Sequence, residues 1–146
     1  MMNHWYGYYQ RLARKTRKYR YEKTVAAHYY HKLAALAPDP HTRALLLKFT
    51  ADEKASASAL GRLYHQLTGK SAPGHPTPSL GIPLYLDGLQ QRVLAESTAF
   101  LHYGDEFLNA PDHYLRSFFY KLGAVAIQHS LCLCSFLARK ETGLKD

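Results

Sequence analysis

The residues from Arg43 to Leu67, RALLLKFTADEKASASALGRLYHQL, decide the fold of this chain. Large apolar side chains recur there at three- and four-residue steps, which predicts one helix face turned toward a core. The same stripe places Glu53, and one turn later Ser56, at positions where the pattern requires buried side chains. A buried carboxylate has to be paired, protonated or bound to a cation, so the function depends on what Glu53 contacts. The apolar members of the stripe are Leu46, Phe49, Leu60, Leu63 and Leu67.

Length, composition and cysteine content favour a single domain in the cytoplasm. The chain has 146 residues, enough to bury a core, and its hydrophobic fraction of 47% is ordinary for a globular protein. It lacks an apolar run of about 18 residues, so no membrane span is expected. It also lacks the apolar segment of a signal peptide, which predicts a cytoplasmic location. The two cysteines are too close together on one predicted helix to bridge each other easily, so no disulfide framework is expected.

Helical periodicity and turn residues divide the chain into four predicted helices. The turns APDPH and NAPDH each join two helices into an antiparallel hairpin. The stretch 69–83 holds three glycines and four prolines, and it is long enough to run the length of a bundle. We therefore expect one all-α domain, 1–146, that forms a four-helix bundle of two antiparallel hairpins joined by a long crossover. The predicted parts are an N-terminal arm over 1–10, helices over 11–36, 40–68, 84–108 and 112–141, and the crossover over 69–83.

Each of the other three helices also carries one polar side chain on its predicted inward stripe. These residues are Glu22 on the first helix, Glu96 on the third and His129 on the fourth. The two halves of the chain form an internal repeat, since EKTVAAHY from residue 22 matches ESTAFLHY from residue 96. Because the repeat puts the polar positions at similar heights, we expect them to converge. The other stripe members expected on the third helix are Leu89, Val93, Phe100 or Ala99, Tyr103 and Phe107.

This pattern resembles a known family. A Glu on helix one, Glu-x-x-His on helix two, a Glu on helix three and Glu-x-x-His on helix four are the di-iron ligands of the ferritin-like superfamily. The spacing is similar to the rubrerythrin branch. More narrowly, the phrases YYHKLAALAPDPHTR, DEKAS, LYHQLTG and LRSFFYKL resemble small stand-alone rubrerythrin-like proteins of sporulating bacteria. The resemblance covers residues from about 20 to 140 and implies a ferritin-like bundle with redox or iron-handling ancestry.

The chain departs from the family pattern at two of the six ligand positions. Ser56 stands where the family has a histidine, and Ala126 stands where it has a bridging carboxylate. The chain also lacks a C-terminal rubredoxin-like CxxC module, the electron relay of full rubrerythrins. The resemblance thus implies a degenerate di-iron site that holds one Fe, Mn or Zn ion, with at most weak oxidoreductase or iron-handling activity. The implied ligands are Glu53, Glu96 and His129, with Glu22 as a fourth ligand or a hydrogen-bond acceptor for bound water.

A metal-free bundle that acts as a structural or binding module is the alternative. Buried carboxylates without a metal need relief by protonation, water or an inserted cation such as Arg92, one turn before Glu96. Residues 11–23 carry seven Lys or Arg and can contact phosphates, but a solvated helix face is the preferred interpretation, so a nucleic-acid partner is not expected. A homodimer is the expected assembly. Metal content separates the two alternatives.

Overall fold

A computed structural model of the protein describes residues 3–81 and 84–141. Over these residues the chain forms four helices and no strands. Helix α1 packs with α2 and helix α3 packs with α4, so the predicted fold class, an all-α four-helix bundle, is confirmed. The helices are α1 at Asn3–Leu36, α2 at Pro40–Thr68, α3 at Tyr85–Asn109 and α4 at His113–Glu141.

The first helix begins earlier than its sequence predicts. Helix α1 starts at Asn3, so most of the segment 1–10 belongs to its first turns, and the expectation of an arm there is wrong. The helix was not predicted over these residues because they are aromatic and polar and show no clear helical period, as Trp5 and Tyr6 illustrate. Both remain exposed, at 49% and 66% respectively, so they carry no amphipathic signal for a buried face.

The helices fall into two compact units. The first contains α1 up to Ala35, α2 from Arg43, and the chain that follows to Gly81. The second contains the turn Leu36–Thr42 together with α3 and α4. The expectation of one domain over 1–146 stays a prediction.

The core of the first unit follows a seven-residue pattern on α1 and the predicted stripe on α2. The rings of Tyr30 and Phe49 meet edge to face, with their centroids 5.5 Å apart. Along α2, the described stripe is buried from Leu46 through Leu63, as the sequence predicts. The buried α1 residues that follow this pattern are Leu12, Thr16, Tyr19, Lys23, Ala26, Tyr30 and Leu33.

The segment after α2 is fixed against α1 in the same unit. Gly69 closes α2 with a positive φ of 72°, and its N–H donates to the carbonyl of His65, which satisfies one of the last carbonyls of the helix. Beyond it, the Arg20 guanidinium donates to the Pro73 carbonyl at 2.7 Å, and the Lys32 ammonium donates to the carbonyl of Leu80. This part of the predicted crossover therefore runs along the first helix.

The core of the second unit is built on Tyr103 and Phe119, whose rings stack with centroids 6.3 Å apart. Leu89, Glu96 and Tyr103 are buried on α3 as expected. The predicted stripe member Phe107 is wrong: it is 36% exposed, because the helix buries its neighbour Glu106 in the last turn. Phe100, predicted as an alternative to Ala99, is 41% exposed.

Equivalent aspartates begin the second and fourth helices. The carboxylate of Asp39 accepts a hydrogen bond from the Thr42 N–H, and that of Asp112 accepts one from the Leu115 N–H, each at 2.8 Å. A side-chain acceptor at this position satisfies one of the orphan N–H groups of a helix start. The bonds to Thr42, from its N–H and its hydroxyl, lower the pKa of Asp39 below its ordinary value.

Helix α4 is apolar enough to resemble a membrane span. Its segment His113–Arg139 has the length and composition of one, although 39% of the most apolar window is buried inside the protein, and a core helix passes the same test. Its buried positions include Leu115, Phe119 and Leu133, as predicted for a helix of a bundle core. The expectation that the chain has no membrane partner stays a prediction.

Candidate metal centre

Glu53, the carboxylate in the middle of α2, is fully buried and ion-paired. Its side chain is 0% exposed, and its Oε2 lies 3.0 Å from the Nζ of Lys23 on α1. The Lys23 side chain is itself only 4% exposed. A charge-assisted contact of this length in a dry environment is among the stronger polar interactions in a protein. The first helix therefore offers Glu53 a cation.

The prediction that Glu22 points into the core is wrong. Its side chain is 42% exposed and lies 3.9 Å from the Lys18 ammonium on the helix surface. The buried face of α1 passes through Tyr19, Lys23 and Ala26, so the inward position belongs to the lysine next in the chain. Sequence reasoning passed over Lys23 because lysine is rarely buried. The signal was present, since Lys23 lies in phase with the buried Leu12 and Tyr30.

Glu96, on α3, is buried beside two nitrogen-bearing side chains of its own unit. Its Oε1 accepts a hydrogen bond from Nη2 of Arg92 at 2.8 Å, and the two residues are one helical turn apart. Nδ1 of His129, on α4, lies 3.7 Å from the same oxygen, beyond ordinary hydrogen-bond distance. The side chains of Glu96 and His129 are 1% and 0% exposed. The expectation that Arg92 supplies an inserted cation is confirmed.

Glu53 in the first unit, and Glu96 and His129 in the second, each offer one potential ligand atom. All three residues are buried, and their convergence on one metal ion stays a prediction. Two carboxylates and one imidazole form a donor set suited to Fe, Mn or Zn. Lys23 and Arg92 already supply positive charge to the two carboxylates.

The two positions that depart from the family pattern are also buried. Ser56 is 8% exposed and lies one turn after Glu53, while Ala126 is 0% exposed and lies one turn before His129. Both are therefore inside the protein, as the sequence predicts. A serine hydroxyl and an alanine methyl offer none of the carboxylate or imidazole donors of a di-iron site.

Sequence reasoning missed one further buried acid, Glu106. It is 5% exposed on α3, ten residues beyond Glu96. The predicted stripe included Phe107 instead of Glu106, because an aromatic side chain next to an acid is normally the buried one.

No protein-family model, curated protein or solved structure matches the chain. The ferritin-like and rubrerythrin-like assignment therefore rests on the residues quoted from the sequence, and it stays a prediction.

Proposed function

We propose that the protein is a ferritin-like bundle whose metal centre has been replaced by internal cations, and that it acts as a non-catalytic structural or binding module. The observation that carries this proposal is a pair of buried ion pairs. The ammonium of Lys23 lies 3.0 Å from Glu53, and the guanidinium of Arg92 lies 2.8 Å from Glu96.

Charge balance is the physical reason. A di-iron site in this fold uses carboxylates to neutralise the positive charge of its ions, and buried carboxylates without a cation are costly. Here each of the two buried carboxylates faces a cation of its own unit, an ammonium for Glu53 and a guanidinium for Glu96, so each pair is neutral with its own side chains. A divalent ion would have to compete with Lys23 and Arg92, whose charged groups are part of the chain itself.

The ligand count points in the same direction. Redox chemistry at two irons needs ligands that Ser56 and Ala126 do not supply, and Glu22 is on the exposed surface. Weak activity is therefore the most that the reduced group supports. A metal bound there would be held by Glu53, Glu96 and His129 and would supply Lewis-acid or redox chemistry.

A second candidate is a single-metal centre, favoured by a donor set of two buried carboxylates and one buried imidazole. In that case Glu53 and Glu96 would each exchange a cation for the metal, and His129 would provide the nitrogen ligand. A metal ion bound at one per chain and lost in His129→Gln would support this second candidate.

Metal titration separates the two. The untagged protein is analysed for Fe, Mn and Zn and then titrated anaerobically with each ion by calorimetry. We expect native metal far below one ion per chain. Lys23→Met should raise the affinity by about tenfold or more, because removal of the ammonium leaves Glu53 to the metal. Arg92→Leu provides a second variant should Lys23→Met fold poorly.

Lys48→Met is the matched control, because Lys48 pairs with Asp52 at 3.0 Å on the surface of the same helix as Glu53. Its metal affinity should equal that of the native protein. A native protein that contains one tightly bound ion per chain, with an affinity that neither Lys23→Met nor Arg92→Leu increases, contradicts the proposal.

A further inference from the structure

Positive charge is concentrated in the first half of the sequence. Residues 1–81 contain thirteen Lys or Arg against four Asp or Glu, whereas residues 82–146 contain six against seven. Such asymmetry is typical of chains that bind polyanions through one region. The sequence alone favoured a solvated helix face for this charge. The described structure shows, in addition, two pockets lined by residues of this basic region.

The first pocket is basic. It has a volume of about 430 Å³ and lies where α1 meets the segment that follows α2. Three of its side chains are cations from consecutive turns of α1, namely Arg14, Arg17 and Lys18. The rings of Tyr21 and His75 also line it, with their centroids 4.9 Å apart. The pocket thus combines positive charge with an aromatic wall.

The imidazole of His75 is neutral at neutral pH. Burial lowers its pKa below the ordinary value of 6.5, and Arg20 and Arg17 lower it further. Its Nε2 is shielded from water and makes no hydrogen bond within the described residues. A ligand oxygen or hydroxyl group that reached this atom would supply the missing hydrogen bond.

The second pocket is aromatic. It has a volume of about 770 Å³ and lies near the start of α1 and the end of α2. Tyr6, Tyr9 and Tyr64 contribute to its walls, and Lys70 lies at its border. Arg14 lines this pocket as well as the basic one, so the two are neighbours along α1.

We propose that these two pockets form one binding groove for a nucleotide unit, with the base against the tyrosines and the phosphate against Arg14, Arg17 and Lys18. Tyrosine rings stack on any base, and arginine fits phosphate oxygens through paired N–H donors. An inorganic anion would use only the basic pocket and would leave the tyrosines without a role. The nucleotide unit can belong to a free nucleotide or to a single strand.

The test is fluorescence anisotropy with a labelled single-stranded octanucleotide, using the full chain and a range of salt concentrations. Unlabelled AMP, the unlabelled octanucleotide and inorganic phosphate serve as competitors. We expect saturable binding that weakens with salt, and about tenfold weaker binding for Tyr9→Ala and for Arg14→Gln. Competition by AMP at concentrations close to those of the strand indicates a free nucleotide, and competition by the strand alone indicates single-stranded nucleic acid.

Matched controls come from the other half of the chain. Tyr120→Ala and Arg116→Gln remove an exposed ring and an exposed cation of α4, and both should bind like the native protein. Thermal melts verify that all four variants fold. Three results overturn the proposal: no saturable binding, equal weakening by the groove and control variants, or competition by inorganic phosphate as strong as by AMP with no effect of Tyr9→Ala. None of these results depends on whether the buried carboxylates bind metal.

Discussion

The two halves of the repeat hold a buried glutamate by different means. In the first half, Glu53 is paired with Lys23 of another helix, thirty positions earlier in the chain. In the second half, Glu96 is paired with Arg92 of its own helix, one turn away. The first pair exists only while α1 and α2 are docked, whereas the second can form as soon as α3 does. Neutralisation of the first carboxylate is therefore coupled to tertiary structure.

The largest expected effect breaks the first pair. Lys23→Met should lower the free energy of unfolding by about 3–5 kcal/mol, because removal of one member of a buried ion pair leaves the other poorly compensated. Urea unfolding followed by circular dichroism measures the change. Lys48→Met, which breaks the exposed pair with Asp52, should change stability by less than about 1 kcal/mol.

The double variant Lys23→Met/Glu53→Gln sharpens that result. A neutral amide costs less to bury than an unpaired carboxylate, so the double variant should be more stable than Lys23→Met alone. A double variant no more stable than the single one would mean that the packing of the lysine stem, rather than its charge, stabilises the core.

The second effect concerns the pair within α3. Arg92→Leu should cost about 2 kcal/mol, less than the loss of Lys23, because Arg92 is 12% exposed and water can reach the site more easily. Urea unfolding followed by circular dichroism measures this change in the free energy of unfolding as well. If Arg92→Leu lowers the free energy of unfolding as much as Lys23→Met does, pairing within one helix is as sensitive to disruption as pairing between helices. The proposed difference between the two halves of the chain would then be contradicted.

Much of this arrangement was predictable from the sequence, because it depends on periodicity. The helical stripes of α2, α3 and α4 placed Glu53, Glu96 and His129 inside. Lys23 was not predicted, since no local rule favours burial of an ammonium and its contact with Glu53 on another helix helps to compensate the cost. The groove was also beyond sequence reasoning, because His75 approaches Tyr21 through a segment rich in proline and glycine that has no period.

A smaller expected effect tests whether Asp39 and Asp112 cap the starts of α2 and α4 in the same way. Asp112→Ala removes the acceptor for the Leu115 N–H and should lower stability by about 1 kcal/mol. Asp112→Asn keeps an acceptor and should be close to neutral. Asp39→Ala, the equivalent change at the start of α2, should act in the same direction. Thermal melts of the three variants measure this, and opposite signs for the two alanine variants would argue against equivalent caps.

The smallest expected effect on stability comes from the titration of His75, which lies in the more basic first half of the chain. Burial, reinforced by Arg20 and Arg17, holds its pKa below 6.5 in the folded protein. Well above pH 6.5 the imidazole is neutral in both the folded and the unfolded state and contributes no pH dependence. As the pH falls below this value, the unfolded chain takes up a proton that the folded chain resists, so the contribution of His75 to stability decreases. NMR titration of the imidazole should give the lowered pKa directly, and His75→Gln should remove this part of the acid destabilisation. A nucleotide phosphate in the groove would favour the protonated ring, so AMP should raise the pKa of His75. An unchanged pKa at saturating AMP would place the phosphate away from this histidine.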